Sequence, residues 1–294
     1  MLRPRSALYL LFLLFVFAAL ALSASAGEVP AFTDKFATFT APGSVYTGAT
    51  AVNNSGTIVG YYTAGGTTHC FIYSGGKFTK LDHPNAFATE CYCINSSGAI
   101  VGSYGSYPPN TGFVYEAGQF TDVNPPGATN SEAAGLNDTG SIVGYYVDAS
   151  NNYHGFLFDG TDYTTLDVPG ATATFAQAIN NAGLITLIWK NSKGNSESSL
   201  YNGSKYTTIN VPGATNSYAG GINSTNDIVF SWSGSTGVPP HSALLQNGKF
   251  YQMDDTSWYG TFASGINDHN VVVGGVWNGG SGNDGFKATY SLAP

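Results

Sequence analysis

SEAAGLNDTGSIVGYYVDASNNYHGFLFDGTDYTTLDVPGAT, residues 131–172, is one of six versions of the same string in a chain of 294 residues. Aligned on an apolar residue followed by Asn, the copies place Asn53, Asn95, Asn137, Asn180, Asn223 and Asn267 at spacings of 42, 42, 43, 43 and 44 residues. A period in this range is the signature of propeller blades, and each copy reads as four short strands. The first strand ends in the Asn. The turn after it closes on Gly56, Gly98, Gly140, Gly183, Asn226 or Asn270, the two residue types that tolerate a left-handed backbone. Asn is the residue whose side chain bonds its own backbone in such a turn, so the six Asn read as turn makers and not as a ligand ring.

The second strand carries the run seen as Ile142-Val143-Gly144, and the third and fourth form a hairpin around Gly75-Gly76, Ala117-Gly118, Gly160-Thr161, Gly203-Ser204 and Asn247-Gly248. A corner follows at Pro42, Pro126, Pro169 and Pro212, each before Gly, and at Pro84 before Asn85, which predicts type II turns. The chain starts in mid-unit with a fourth-strand segment, Phe36 to Ser44, and its last unit stops after a third strand, Asp284 to Tyr290. The predicted fold is therefore all-β: a six-bladed β-propeller of four-stranded blades, closed by an N-terminal strand joining the C-terminal blade. Six units of about 43 residues fill nearly all of residues 27–294, leaving one domain.

Arg3 and Arg5 precede an apolar stretch and then Ala24-Ser25-Ala26, a signal-peptide pattern that predicts cleavage after residue 26 and a secreted, extracellular or periplasmic protein. The apolar stretch is short for a membrane span, so no span is expected after its removal. The mature chain keeps eight Lys, no Arg and a net charge near −10. Nucleic acid is not expected as a partner for want of a basic stripe, and sulfated or phosphorylated ligands are poor candidates for want of Arg forks. With 10% charged and 14% aromatic residues, the composition suits neutral ligands.

The strings GLNDTGSIVGYY, HGFLF and YTTLDVPGAT together resemble the HAF-type extracellular repeat of secreted bacterial proteins, over roughly Phe36 to Tyr290. No copy has the full His-Ala-Phe tripeptide: the matching positions read His69-Cys70-Phe71, His154-Gly155-Phe156 and His241-Ser242-Ala243. The resemblance implies secretion and a repeat fold and brings no activity or catalytic residue.

Hairpin arithmetic sets His69 opposite Asp82, His154 opposite Asp167 and His241 opposite Asp254; the other units pair Thr111 with Asn124, Glu197 with Asn210 and Asp284 with Thr40. His and Asp come and go together, as a cross-strand latch does. Three His on alternate blades cannot share one metal ion, and no metal cluster, cofactor motif or nucleophile-base set can be assembled. Cys70, Cys91 and Cys93 occupy slots held elsewhere by Gly, Ala or Ser. They read as small buried hydrophobes, with a disulfide from Cys70 to one of the others as the alternative.

Ligand recognition is expected on the face that carries the variable loops between the second and third strands. There, Tyr62, Tyr104, Tyr146, Trp189, Trp232 and Trp277 form a candidate circle of aromatics, for stacking on sugars or for packing blade on blade. The start of the first strand reads Gly48, Glu90, Glu132, Phe175, Tyr218 and Phe262, acidic on one side of the mouth and aromatic on the other. These features imply a non-catalytic, extracellular binder of neutral glycan or another cell-surface ligand. The alternatives are a glycan-cleaving enzyme with Glu90 and Glu132 as acid and base, and a scaffold for protein partners.

Overall fold

The computed structural model describes residues 36–106, 110–234, 241–254, 257–277, 279 and 283–290. The expected signal peptide, residues 1–26, lies outside them. Among the described residues all regular structure is strand. β1 (Ala37–Phe39) precedes unit 1, which holds β2 (Tyr46–Val52), β3 (Ile58–Ala64), β4 (Thr67–Ser74) and β5 (Lys77–Lys80). Unit 2 holds β6 (Ala88–Ile94), β7 (Ile100–Gly105), β8 (Asn110–Glu116) and β9 (Gln119–Val123). Unit 3 holds β10 (Asn130–Leu136), β11 (Ile142–Val147), β12 (Tyr153–Phe158) and β13 (Tyr163–Leu166). Unit 4 holds β14 (Ala173–Ile179), β15 (Ile185–Lys190), β16 (Ser196–Tyr201) and β17 (Tyr206–Ile209). Unit 5 holds β18 (Asn216–Ile222), β19 (Ile228–Ser233), β20 (His241–Gln246) and β21 (Lys249–Gln252). The last unit has β22 (Gly260–Ile266), β23 (Val271–Trp277) and β24 (Asn283–Thr289).

Units 2 to 5 are each an antiparallel four-stranded sheet. The last unit takes β1 as its fourth strand, antiparallel to β24 with Ala37 opposite Lys287. A single parallel bridge, Tyr46 to Asn283, joins it to unit 1. One side-chain bond fastens the same seam, Thr40 Oγ1 donating to Asp284 at 2.6 Å, while on the other side of the last unit Tyr290 OH donates to buried Asp227 of unit 5 at 3.1 Å.

The turn asparagines do more than close their own turns. Each Oδ1 accepts backbone N–H groups of its turn, as Asn137 does from Thr139 and Ser141 at 3.1 and 2.9 Å. Each Nδ2 donates to the carbonyl of the next unit's Asn: Asn53 to Asn95, Asn95 to Asn137, Asn137 to Asn180, Asn180 to Asn223 and Asn223 to Asn267, at 3.1–3.4 Å. Asn267 then donates to Asn53 at 3.0 Å, so the chain of bonds returns to its start. The residues ending the six turns all have positive φ. So do the four corner glycines after Pro, whereas Asn85 does not, so that corner departs from the predicted type II turn.

Packing between sheets uses a cross-strand exchange of size. Phe71, Phe113, Phe156 and Phe286 lie opposite Gly60, Gly102, Gly144 and Gly274. In unit 4 the pair is Leu187 with Ser199, and in unit 5 Phe230 with Ala243, so the bulk moves to the other strand. A Cβ on Gly144 would stand 1.9 Å from the Glu132 carbonyl oxygen, which is why a backbone must come that close only at Gly.

Cys70 on β4 and Cys91 on β6 form a disulfide between units 1 and 2, with Cα atoms 5.2 Å apart, and Cys93 is the free thiol. The expectation of three small buried hydrophobes is corrected for these two. The same slots in the next pair of units hold Gly112 and Ala133, where a Cβ on Gly112 would lie 3.0 Å from the Ala133 nitrogen. Side chains in these slots meet across the sheets, and two sulfurs there bond. The loop closed is 21 residues in sequence separation. Cys70→Ala with Cys91→Ala is expected to lower unfolding free energy by about 3 kcal/mol and the Tm by roughly 6–12 °C. Thermal melts of both proteins check this, with reductant shifting only the wild type.

Candidate functional site

The six slots of the predicted aromatic circle lie at the outer end of the second strands, and each ring meets a partner within its own or a neighbouring sheet. Tyr62, Tyr146 and Trp232 lie against His69, His154 and His241, with ring centroids 5.1, 5.2 and 4.6 Å apart. Tyr104 is stacked on His83 at 3.7 Å, Trp189 Nε1 donates to Ser199 Oγ at 2.9 Å, and Trp277 meets Tyr259 edge-on. Each of the three histidines in turn reaches its Asp through Nδ1: His69 to Asp82 at 2.8 Å, His154 to Asp167 at 3.0 Å and His241 to Asp254 at 2.5 Å. Burial works against a charge on His154, but the Asp167 and Asp148 carboxylates outweigh it and raise its pKa. Asp254 also accepts from Thr261 of the last unit, which makes it a tie between sheets. Thr111 and Asn124 have no hydrogen bond to each other, and Glu197 accepts from Asn191 instead of Asn210. Among the described residues, no group of three or more His, Cys, Asp or Glu could hold a metal ion.

The first strands of all six units line a cavity of about 360 Å³. Each of these strands carries a register shift near its middle, between Ala49 and Ala51 in unit 1 and between Cys91 and Cys93 in unit 2. A bulge re-aims the extra residue: Thr50, Tyr92, Ala134, Gln177, Gly220 and Ser264 all line the cavity. Of the six start-of-strand residues, Glu132 and Tyr218 line it. Phe175 is covered by Tyr145 and Tyr153, with centroids at 5.0 and 5.4 Å. Glu90 lines a different space. The mouth expected from all six positions is therefore built from fewer of them, with tyrosines of the second strands, Tyr61 and Tyr145, filling in.

The space that Glu90 lines is a groove of about 490 Å³ between units 1 and 2, within the roughly 300–1,000 Å³ of small-ligand sites. One wall is the turn at Gly65 and Gly66 with Thr67 and Thr68; the other is Phe87, Ala88 and Glu90, with Ser103 to Ser106 and Asn110 behind. Gly65 and Gly66 both have positive φ, which gives β3 and β4 a two-residue connection. Units 2 to 5 have longer ones, so unit 1 leaves its neighbour's strand uncovered. Phe87 stands at the edge with 66% of its surface exposed, and the Thr67 hydroxyl donates to its carbonyl. The Cys70–Cys91 disulfide joins the two strands, β4 and β6, that form the walls.

Between groove and cavity sits Tyr92. Its hydroxyl donates to Glu90 at 2.6 Å and lies 3.2 Å from Ser103 Oγ, and the Glu132 carboxylate is near enough to act on it. Burial pushes the Tyr92 phenol well up, with both carboxylates adding to it. Burial raises the pKa of Glu132, the bond from Tyr145 lowers it, and Glu90 raises it, with a net upward shift. A carboxyl whose pKa is higher folded than unfolded adds stability below about 4.5 and loses it as the pH rises through the folded value. Glu132→Gln is therefore expected to match the wild type in urea unfolding at pH 4 and to exceed it at pH 7. An identical pH profile for the two proteins would contradict this placement of the carboxyl.

Neither Tyr92 nor Phe87 was among the residues singled out in the sequence. The signal lies three positions before Glu90, where the copies read Val45, Phe87, Thr129, Thr172, Thr215 and Tyr259.

No family model matches the sequence, and neither does any curated protein. Solved structures with the same fold do: the SapL1 lectin in complex with α-methyl fucoside, with a TM-score of 0.55 at 15% identity over 85% of this chain and 98% of that one. TolB from Agrobacterium tumefaciens gives 0.55 at 12% identity over 83% and 90%. A catalytically inactive virginiamycin B lyase from Staphylococcus aureus with quinupristin gives 0.51 at 14% over 86% and 99%. These are β-propeller proteins, and at such identities the likeness is one of fold. Among the described residues no helix is long and apolar enough to cross a membrane.

Proposed function

We propose that residues 27–294 are a secreted, HAF-type, six-bladed propeller that binds a neutral glycan in the groove between units 1 and 2. The circle of asparagine bonds and the borrowed first strand support six blades and closure. The observation that carries the function is Phe87, an exposed aromatic beside a carboxylate, an amide and several hydroxyls. An apolar platform with few polar groups at its side is how sugar rings are held: the ring's C–H face stacks and its hydroxyls bond. Glu90, as an acceptor, suits hydroxyl donors and disfavours anions. The fold carries a fucoside in the SapL1 lectin, which makes monosaccharides and their oligomers the first ligands to try.

Binding is preferred to cleavage because Glu132 lines the cavity and Glu90 the groove, with Glu90 already held by the Tyr92 phenol, whereas cleavage needs both carboxylates facing one glycosidic bond. A glycan array probed with the mature protein tests the reading. Neutral glycans should be retained and acidic ones not. Retention of none, with a protein captured instead, would favour the scaffold. N-terminal sequencing of the exported chain should begin at Gly27.

A further inference from the structure

Resting on that reading of the groove, the exposed surface extends past it and bears on the length of the ligand. In the five units other than unit 2 the slot of Phe87 has one backbone role: its N–H donates to a carbonyl at or one residue before the end of the second strand. Val45 gives to Thr63, Thr129 to Val147, Thr172 to Lys190, Thr215 to Ser233 and Tyr259 to Trp277, all at 2.8–2.9 Å. The side chain divides the ring in two. In units 3 and 4 the Thr hydroxyl turns back to the same carbonyl. In the last unit and in units 1 and 2, which are consecutive, the slot holds Tyr259, Val45 and Phe87, exposed by 53%, 65% and 66%. These are three of the five large hydrophobics exposed among the described residues.

Three water-facing apolar groups on consecutive units, in a slot that elsewhere holds Thr, set this side of the ring apart from the other. The flanks are neutral: Ser44 and Tyr46, Ala86 and Ala88, Trp258 and Gly260. One apolar side chain per unit, set among neutral groups, offers much less than the roughly 800 Å² of continuous surface that a stable protein partner needs. It does match a chain that alternates apolar ring faces with hydroxyl edges. The arc is also continuous with the groove, since Phe87 belongs to both. We infer that Phe87, Val45 and Tyr259 form one track across three units, and that the ligand is an oligosaccharide of several residues anchored at Phe87.

Thr is the slot's own residue in the other three units, so the slot's backbone accepts Thr, and Thr at 45 and 259 keeps the N–H bonds that Val45 and Tyr259 make. The experiment is calorimetric titration of wild type, Phe87→Thr and the double variant Val45→Thr/Tyr259→Thr with neutral cello-, xylo- and manno-oligosaccharides of one to six residues. The inference expects wild-type affinity to rise with length. It expects the double variant to lose that rise, about tenfold at the longest members, while staying within twofold of wild type for the shortest. It expects Phe87→Thr to weaken all lengths. If Phe87→Thr weakens binding and the double variant follows the wild type at every length, the track is overturned and the groove stands. If no saccharide binds, or Phe87→Thr binds as wild type does, the groove reading falls and the track with it. If sedimentation shows wild-type self-association that the double variant abolishes, the arc is a protein contact and the inference is overturned.

Discussion

Asn95→Ala is expected to lower the unfolding free energy by about 3 kcal/mol and the Tm by roughly 6–12 °C. The Asn95 amide has two duties that Ala cannot perform. Its oxygen accepts the buried N–H of Ala99 at 2.9 Å and the Ser97 hydroxyl at 2.8 Å. Its nitrogen donates to the Asn137 carbonyl at 3.3 Å. Removing it strands a donor in one unit and an acceptor in the next, each costing about 1–3 kcal/mol where water cannot reach. Ser96→Ala is the control. Its hydroxyl meets Asp138 in solvent, and exposed pairs of that kind are worth at most about 1 kcal/mol. Urea unfolding of the three proteins checks the contrast, and equal losses for the two variants would remove the asparagine circle from the account of stability.

Phe87→Thr is expected to weaken glycan binding about 30-fold while leaving the Tm within about 2 °C. The first number is the roughly 2 kcal/mol lost when an aromatic anchor is truncated. The second follows from exposure, since a side chain 66% in water supports little packing, and from the identity of the slot in units 3, 4 and 5. Binding calorimetry beside thermal melts separates the two. A variant that binds as well as the wild type would leave the groove without its platform.

The repeat was legible in the sequence because each turn needs both an Asn and a residue of positive φ, and those requirements fix residue types at fixed spacing. What the Asn nitrogen does was not legible, because its acceptor lies one unit away. The same limit hid the Cys70–Cys91 bond: small residues in equivalent slots announce tight packing, but not which two slots meet. Similar rings in similar slots, Tyr62 to Trp277, suggested a platform, yet their cross-strand neighbours, such as His69 and His154, already occupy their faces. The candidate site itself turned on breaks in the likeness. Glu90 and Glu132 were visible as such breaks. Tyr92 was not, because it sits on a bulge that a strict alternation of faces does not contain, and Phe87 was not, because it precedes the strand that was read.

A crystal structure of the mature protein with the best-bound array glycan tests the central claim most directly. The account predicts a sugar ring against Phe87 with its hydroxyls on Glu90 and Asn110. Density for the glycan on another unit, with the groove between units 1 and 2 empty, would contradict it.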